Sequence, residues 1–367
     1  MIRSATAATA GALLALVAVA SGRASAHVDY VTDPGPPGSP ADLFRAVLTT
    51  PESVLLLAGG FLALVAVVAA YVRFASAVPD IDVARATLRS YRPYLPWMLR
   101  LSVGLPLVGA GFAGYLFTPS VPADARLLQV GIGFLLLFGL ATRVVAAIGL
   151  LTYVYALVTA GAPMLLASEY VAGFVGILLV GPGQPSADVL LRRLVVTDGT
   201  IASRFRGVTT PGEVLGRLGL GPAVAPVPVR VFLGLNFLYL GVVQKLLEPQ
   251  QALAVVDRYD LTAVVPVQPE LWVVGAGLTE ALVGVALILG AFTRGTAALG
   301  FLILTSTLFG LPDDPVLAHV TLFGLTSVLL VTGAGRPSLD GTVLPSLRRR
   351  FDPGADQPSG TTVDRPL

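Results

Sequence analysis

Three ionisable residues interrupt apolar stretches in the second half of the chain, where they could bind a polar group or move a proton. They are Lys245, Glu280 and His319. Ionisable groups are costly in hydrocarbon, so they usually face a partner or a cavity. We therefore predict a polar pocket made of these three side chains. Two simpler interpretations stay open: a Lys245–Glu280 ion pair that only holds helices together, and a lysine stem that extends to the membrane surface.

The remaining polar residues limit the chemistry further. Asn236 lies nine positions before Lys245, about 900° of helical rotation, so the two face opposite ways and Asn236 is expected to form an interhelical hydrogen bond. The sequence has no cysteine, which excludes disulfides, thiolate-bound clusters and covalently attached c-type haem. We expect no covalent cofactor. His27 is a weak metal candidate, since copper would need a second histidine and His319 is the only other one.

Two Thr-Arg pairs stand at the ends of apolar runs. Arg143 follows Thr142, and Arg294 follows Thr293. Guanidinium groups at a membrane surface attract phosphate groups, so both arginines are candidates to contact an anion or a lipid headgroup. The alternative is that they only anchor the helices at the interface.

The elements that position these residues are predicted to be membrane-spanning helices. Hydrophobic residues make up 54% of the 367 residues and charged residues 13%, far from the composition of a soluble domain. Nine apolar runs approach the roughly 20 residues that a spanning helix needs. They lie near 53–74, 97–117, 125–141, 144–160, 164–181, 229–247, 271–290, 296–311 and 315–333. The expected fold is all-α, with about nine transmembrane helices.

The order of the chain follows from the runs and the segments between them. The predicted parts are a signal peptide (1–26), an external Pro/Gly-rich segment (27–52), an extra N-terminal transmembrane helix (53–74), a first four-helix unit (97–190), a cytoplasmic linker (191–227), a second four-helix unit (228–342) and a disordered cytoplasmic tail (343–367). Export places the mature N-terminus outside and the C-terminus in the cytoplasm of a multi-pass cell-membrane protein. Outer loops then carry only Arg45, Arg126 and Arg258, as the positive-inside rule requires.

The two predicted four-helix units align with each other. The landmarks pair in the same order along both: Arg100 with Arg230, Gly104 with Gly234, Gly133 with Gly284, Arg143 with Arg294, and Asp188 with Asp340. Four helices per unit, an even number, return the chain to the same side, so the repeats would be parallel and related by an axis along the membrane normal. Gly277 and Gly284, seven apart, share a helix face and are predicted to permit close packing.

The second unit resembles the DoxX family of four-helix membrane proteins. The resemblance lies in Arg230-x3-Gly234, Gly241-x3-Lys245, Glu280-x3-Gly284, Thr293-Arg294, His319 and the closing Pro337-Ser338-Leu339-Asp340. The first unit looks like a degenerate copy. Tyr115 replaces the lysine, Gln129 replaces the glutamate, and Glu169 stands where His319 does.

The resemblance implies a link to redox chemistry without naming a reaction. One known member type is the membrane subunit of a thiosulfate:quinone oxidoreductase. We therefore expect a redox-associated subunit that contacts quinone, with Glu280 as a candidate proton-handling group. The alternative is a non-enzymatic carrier or a scaffold. The expected partners are the lipid bilayer and other membrane or redox subunits, and no nucleic acid.

Overall fold

The fold is helical throughout the part of the chain that is described. The computed structural model describes residues 38–313 and 316–351. Within these ranges every regular element is a helix, apart from one isolated antiparallel bridge between Tyr115 and Pro122. The all-α prediction is confirmed for these residues.

The helices follow the predicted order. The first part of the chain contains α1 (Pro40–Thr49), α2 (Pro51–Phe74), α3 (Pro79–Ser90), α4 (Leu95–Ala113), α5 (Arg126–Phe138), α6 (Thr142–Ala160) and α7 (Glu169–Val180). The linker contains α8 (Ala187–Val196) and α9 (Pro211–Arg217). The last part contains α10 (Pro226–Gly241), a π-helix (Val242–Leu247), α11 (Pro249–Arg258), α12 (Leu261–Val264), α13 (Pro269–Leu289), α14 (Thr293–Gly310), α15 (Val316–Thr332) and α16 (Leu339–Phe351). Short 3-10 turns lie at Ala75–Ala77, Arg92–Tyr94, Ala162–Ala167 and Ile201–Phe205.

Several of these helices are built to cross a bilayer. Among the described residues, five helical segments are long and apolar enough: Pro51–Phe74, Pro79–Ala113, Thr142–Ala160, Pro226–Leu247 and Pro269–Leu289. Three apolar helices are shorter: Arg126–Phe138, Glu169–Val180 and Val316–Thr332. Along α2 nearly every side chain is exposed, and since these side chains are apolar the helix surface suits contact with lipid. The chain is a multi-pass membrane protein.

Glycines let neighbouring helices cross at backbone contact. A Cβ atom built on Gly234 of α10 would lie 2.7 Å from the Gly284 carbonyl oxygen of α13. In the first unit, a Cβ built on Gly104 of α4 would lie 2.9 Å from the Gly133 carbonyl oxygen of α5. Any larger residue would force the helices apart. The predicted packing role of Gly284 is confirmed.

A carboxylate caps the turn between the second and third helix of each unit. Asp188 accepts hydrogen bonds from the backbone N–H groups of Ala141 (2.6 Å) and Thr142 (2.8 Å). Asp340 accepts the corresponding pair at the start of α14, also at 2.6 and 2.8 Å. A negative charge at a helix N-terminus satisfies orphan N–H groups and the helix dipole. We call the end of the bundle that holds these turns the corner face.

Buried arginines close the corner face. Arg230 is 3% exposed and donates to the carbonyl oxygens of Ala334 (3.0 Å), Leu287 (3.1 Å), Ile288 and Pro337. In the first unit, Arg100 donates to the Pro185 carbonyl oxygen. Each guanidinium thereby ties the first helix of its unit to the loop that ends the unit.

The two units share one apolar core. Helix α4 packs against α15, and α10 packs against α7. Polar contacts also cross this interface. The Thr321 hydroxyl donates to the Ser102 carbonyl oxygen (2.9 Å), and Asn236 donates to the Leu166 carbonyl oxygen (2.9 Å) and to the Glu169 carboxylate (3.0 Å). The predicted interhelical hydrogen bond of Asn236 is confirmed.

The Pro/Gly-rich segment before the extra transmembrane helix contains a helix. Helix α1 begins at Pro40, after a Ser39 side chain that accepts the Asp42 N–H, and buries Leu43 and Val47. These two pack with residues of α11 and α13. The prolines of 27–52 signalled a break, but proline is well tolerated in the first turn of a helix.

Other boundaries also differ from the predicted ones. Residues 343–351 were expected to belong to a disordered tail, but they complete α16. The linker contains α9 and the last part of α8, which begins at Ala187 within the predicted first unit. The predicted signal peptide (1–26), His27 and residues 352–367 lie outside the described residues.

Candidate functional site

Lys245 and Glu280 form an ion pair between two helices of the second unit. The Lys245 Nζ atom lies 2.6 Å from Glu280 Oε2, with the side chains 24% and 12% exposed. Glu280 projects from the middle of α13, and Lys245 comes from the π-helix that follows α10. Opposite charges this close stabilise each other in a medium of low polarity. The Lys245–Glu280 ion pair, one of the alternatives that the sequence left open, is therefore present.

The π-helix sets the direction of the lysine. An i→i+5 segment widens the helix and rotates the residues that follow, and such segments often occur at functional sites. Here the segment carries Gln244, which is 2% exposed, beside Lys245. Nothing in the apolar run at 229–247 indicates this change of helix type. Sequence reasoning missed Gln244 for that reason.

His319 lies at the same site, on a third helix. It projects from the first turn of α15 and is 3% exposed. Lys245, Glu280 and His319 all line one cavity of about 730 Å³. The structure thus brings the three predicted side chains to one space, and their role in binding stays a prediction.

The cavity is mainly apolar with a few polar groups. Its apolar wall includes Phe237, Leu240, Val256, Leu261, Val264, Leu271, Trp272, Leu302, Ile303 and Leu311. Its other polar side chains are Gln244, Thr279, Ser306 and Thr307. This size and this mixture are typical of small-molecule sites, where a few polar groups fix the orientation of an apolar ligand.

One side of the cavity opens between α13 and α14. Thr279 of α13 and Ser306 of α14 are exposed on this side, and Leu302 of α14 is 60% exposed. Leu302 lies in the middle of an apolar helix, so apolar side chains flank this opening.

The opposite end of the cavity is covered by the loop helices α11 and α12. The Arg258 guanidinium and the Tyr259 hydroxyl bond the Asp313 carboxylate at 2.8 and 3.0 Å, which ties α11 to the loop after α14. These bonds, from Tyr259 and then from Arg258, lower the pKa of the Asp313 carboxyl. We call this end of the bundle the loop face.

The comparison with protein families identifies a known domain in the part of the chain that holds this cavity. The sequence model described as DoxX matches residues 225–320, from the start of α10 into α15. This segment is a DoxX domain. The resemblance seen in the sequence is thereby confirmed for the second unit. Neither the curated proteins nor the solved structures gave a match.

All three pocket residues belong to the DoxX domain, whereas the closing Pro337–Asp340 loop lies beyond the matched residues. Among the described residues, no group of three His, Asp or Glu side chains could hold a metal ion. The polar groups of the cavity include the Lys245–Glu280 pair and uncharged side chains such as Gln244 and Thr279.

The residues predicted to replace the pocket residues in the first unit make other contacts. Gln129, which aligns with Glu280, donates from its amide nitrogen to the Tyr115 carbonyl oxygen (2.5 Å) and accepts the Phe117 N–H (3.0 Å). Its amide is thus used to hold the loop between α4 and α5. Glu169, which aligns with His319, accepts from Asn236 at the interface with the DoxX domain.

Arg143 and Arg294 lie on the corner face, remote in the fold from the cavity. Each donates from Nε to a carbonyl oxygen near the end of its unit, Arg143 to Leu178 (2.9 Å) and Arg294 to Leu330 (2.8 Å). Both guanidinium groups are therefore fixed in position, and the contact with an anion or a lipid headgroup stays a prediction. Gly212 of α9 lies against the Arg143 guanidinium, so the linker partly covers Arg143.

Proposed function

We propose that the DoxX domain binds a lipophilic molecule with a polar headgroup, of the quinone type, within the membrane. The observation that carries this is the Lys245–Glu280 ion pair on the wall of a largely apolar cavity of about 730 Å³. That volume lies within the roughly 300–1,000 Å³ of small-molecule sites. An ion pair of this kind is costly in lipid, so it usually stabilises helix packing or contacts a ligand.

The donors and acceptors suit a ring with carbonyl groups at opposite positions. The Lys245 ammonium donates hydrogen bonds and the Glu280 carboxylate accepts them, so together they can bind either a carbonyl or a hydroxyl. The apolar wall around Trp272 and Leu302 suits the ring face and an isoprenoid chain. When the ligand is in its reduced, hydroxyl-bearing form, the Glu280 carboxylate would accept a proton from one of its hydroxyl groups.

On this proposal the protein is the membrane part of a redox assembly. The chain has no cysteine to hold an iron–sulfur cluster through thiolates, so a partner subunit would carry the electrons. The DoxX resemblance supports this role. The outcome expected for a carrier or a scaffold is a cavity that accepts lipid chains without regard to the headgroup.

Tryptophan fluorescence can test binding directly. The chain has two tryptophans, and Trp272 lines the cavity whereas Trp97 lies on α4. In a Trp97→Phe background, a short-chain ubiquinone should therefore quench Trp272 in a saturable manner. An alkyl alcohol of equal chain length should compete weakly, since it lacks the ring carbonyls.

Variants of the pair make the test specific. Lys245→Met removes a charged donor, which is worth about tenfold or more in affinity. Asp198→Asn is the matched control, because it breaks an exposed ion pair with Arg206 in the linker, 2.7 Å long, and should leave binding unchanged. Quenching that does not saturate, or that Lys245→Met leaves intact, would reject the quinone site.

The orientation and the duplication are part of the same proposal. The corner face holds Arg143 and Arg294, which supports a cytoplasmic corner face and an external loop face. The shared Asp188 and Asp340 caps support two parallel four-helix repeats that arose by tandem duplication. With α2 added, this arrangement contains nine membrane-spanning helices.

A further inference from the structure

A group of arginines surrounds the Arg294 corner on the corner face. Arg85 and Arg89 project from α3, and Arg92 from the 3-10 turn after it. Their spacing of four and then three residues places all three on one face of the helical segment. Helix α3 packs on α15 beside the corner of the DoxX domain, and the positive charges of all three arginines act on Arg294.

Aromatic contacts fix α3 against this corner. The Arg85 guanidinium donates to the Tyr71 hydroxyl (2.7 Å), and the Tyr71 ring packs edge-on against Phe292 at 5.3 Å between centroids. Phe292 is two residues before Arg294 in the turn that Asp340 caps. Helix α3 also packs on α15, which supplies the carbonyl oxygens that hold Arg294.

The group carries an excess of positive charge. Arg85 has a partner in Asp82, 2.9 Å away. Within the described ranges, neither Arg89 nor Arg92 has a carboxylate within ion-pair distance, and both are exposed. Like charges brought together repel each other unless an anion lies between them.

We propose that Arg89, Arg92 and Arg294 form a binding site for the phosphate of an anionic phospholipid. Arg294 lies in the first turn of α14 and is bonded to carbonyl oxygens near the end of α15, and α3 follows the lipid-facing helix α2. Planar guanidinium groups bind phosphate oxygens in pairs. This site is separate from the cavity, so either proposal can fail without the other.

Lipid retention tests the site. The full chain is purified in detergent, exposed to equal amounts of phosphatidylglycerol and phosphatidylcholine, and analysed by native mass spectrometry. Arg89→Gln/Arg92→Gln should lose the preference for phosphatidylglycerol by about thirtyfold, since each arginine contributes about fivefold at a membrane surface. Both positions are exposed, so the double variant should fold.

Arg204→Gln/Arg217→Gln is the matched control, because it removes the same charge from exposed positions in the linker. It should keep the preference of the unmodified chain. Equal losses in both double variants would mean that only overall charge matters, and would overturn the site. Inorganic phosphate that competes as well as phosphatidylglycerol would overturn the assignment to a lipid.

Discussion

Removing one charge of the Lys245–Glu280 pair should destabilise the DoxX domain more than removing both. At 2.6 Å and an effective dielectric constant of about 20, the attraction is about 6 kcal/mol before desolvation is subtracted. Breaking a fully buried pair costs about 3–5 kcal/mol. Because these side chains are 24% and 12% exposed, we expect about 2–3 kcal/mol for Glu280→Leu.

The other variants follow from the same contact. Glu280→Gln keeps an acceptor for the Lys245 ammonium and should cost about 1 kcal/mol. Lys245→Met leaves the Glu280 carboxylate unpaired and should also cost about 2–3 kcal/mol. Lys245→Met/Glu280→Leu removes both charges and should cost no more than about 1 kcal/mol, so the coupling between the two sites should be about 3 kcal/mol or more. Free energies of unfolding from SDS titration in mixed micelles give all four corners of the cycle.

The cycle also separates a structural pair from a proton-handling one. If Glu280 only holds helices together, Glu280→Gln should retain yield, quinone binding and any activity. If it handles protons, yield should hold while a redox activity falls. A coupling near zero, with Glu280→Leu as stable as the unmodified chain, would refute the argument that each of these largely buried charges needs the other as a partner.

Two further predictions concern the corner face and the topology. Asp340→Asn should lower the free energy of unfolding by about 1–2 kcal/mol, since it weakens two bonds to backbone N–H groups at a helix N-terminus, and Asp188→Asn should do the same in the first unit. Reporter fusions at Pro222 and after Asp352 should read as cytoplasmic and one near Asp260 as external; a cytoplasmic signal at Asp260 would contradict nine spans.

The architecture could be predicted because it depends on local properties of the sequence. Each apolar run became a helix, and Gly234 and Gly284 meet where the small-residue pattern indicated. The Glu280 contact could also be predicted in outline, because a lone carboxylate in lipid needs a partner. The sequence pairs Asp340 with Asp188, but it does not show that the closing loop returns to the corner, so the role of Asp340 as a helix cap could not be predicted.

The polar pocket was predicted, but the size and the apolar wall of the cavity could not be, because they depend on how far α13 and α14 separate. Thr279 and Ser306 look like ordinary polar residues in apolar helices. The π-helix at Val242–Leu247 also has no signature in the apolar run, although it directs Lys245. Helix α1 was missed because its prolines mark a helix start as readily as a break.

The contrast between the two units separates what the fold needs from what a ligand would need. Both units use an aspartate cap and a glycine crossing. At the position of Glu280, however, the first unit has Gln129, whose amide is satisfied by the loop at residues 115 and 117. A four-helix unit of this kind therefore closes without a charged pair. On the proposed function, a polar ligand in the adjoining cavity is the physical reason for charges at this depth, in addition to the helix contact that the pair makes.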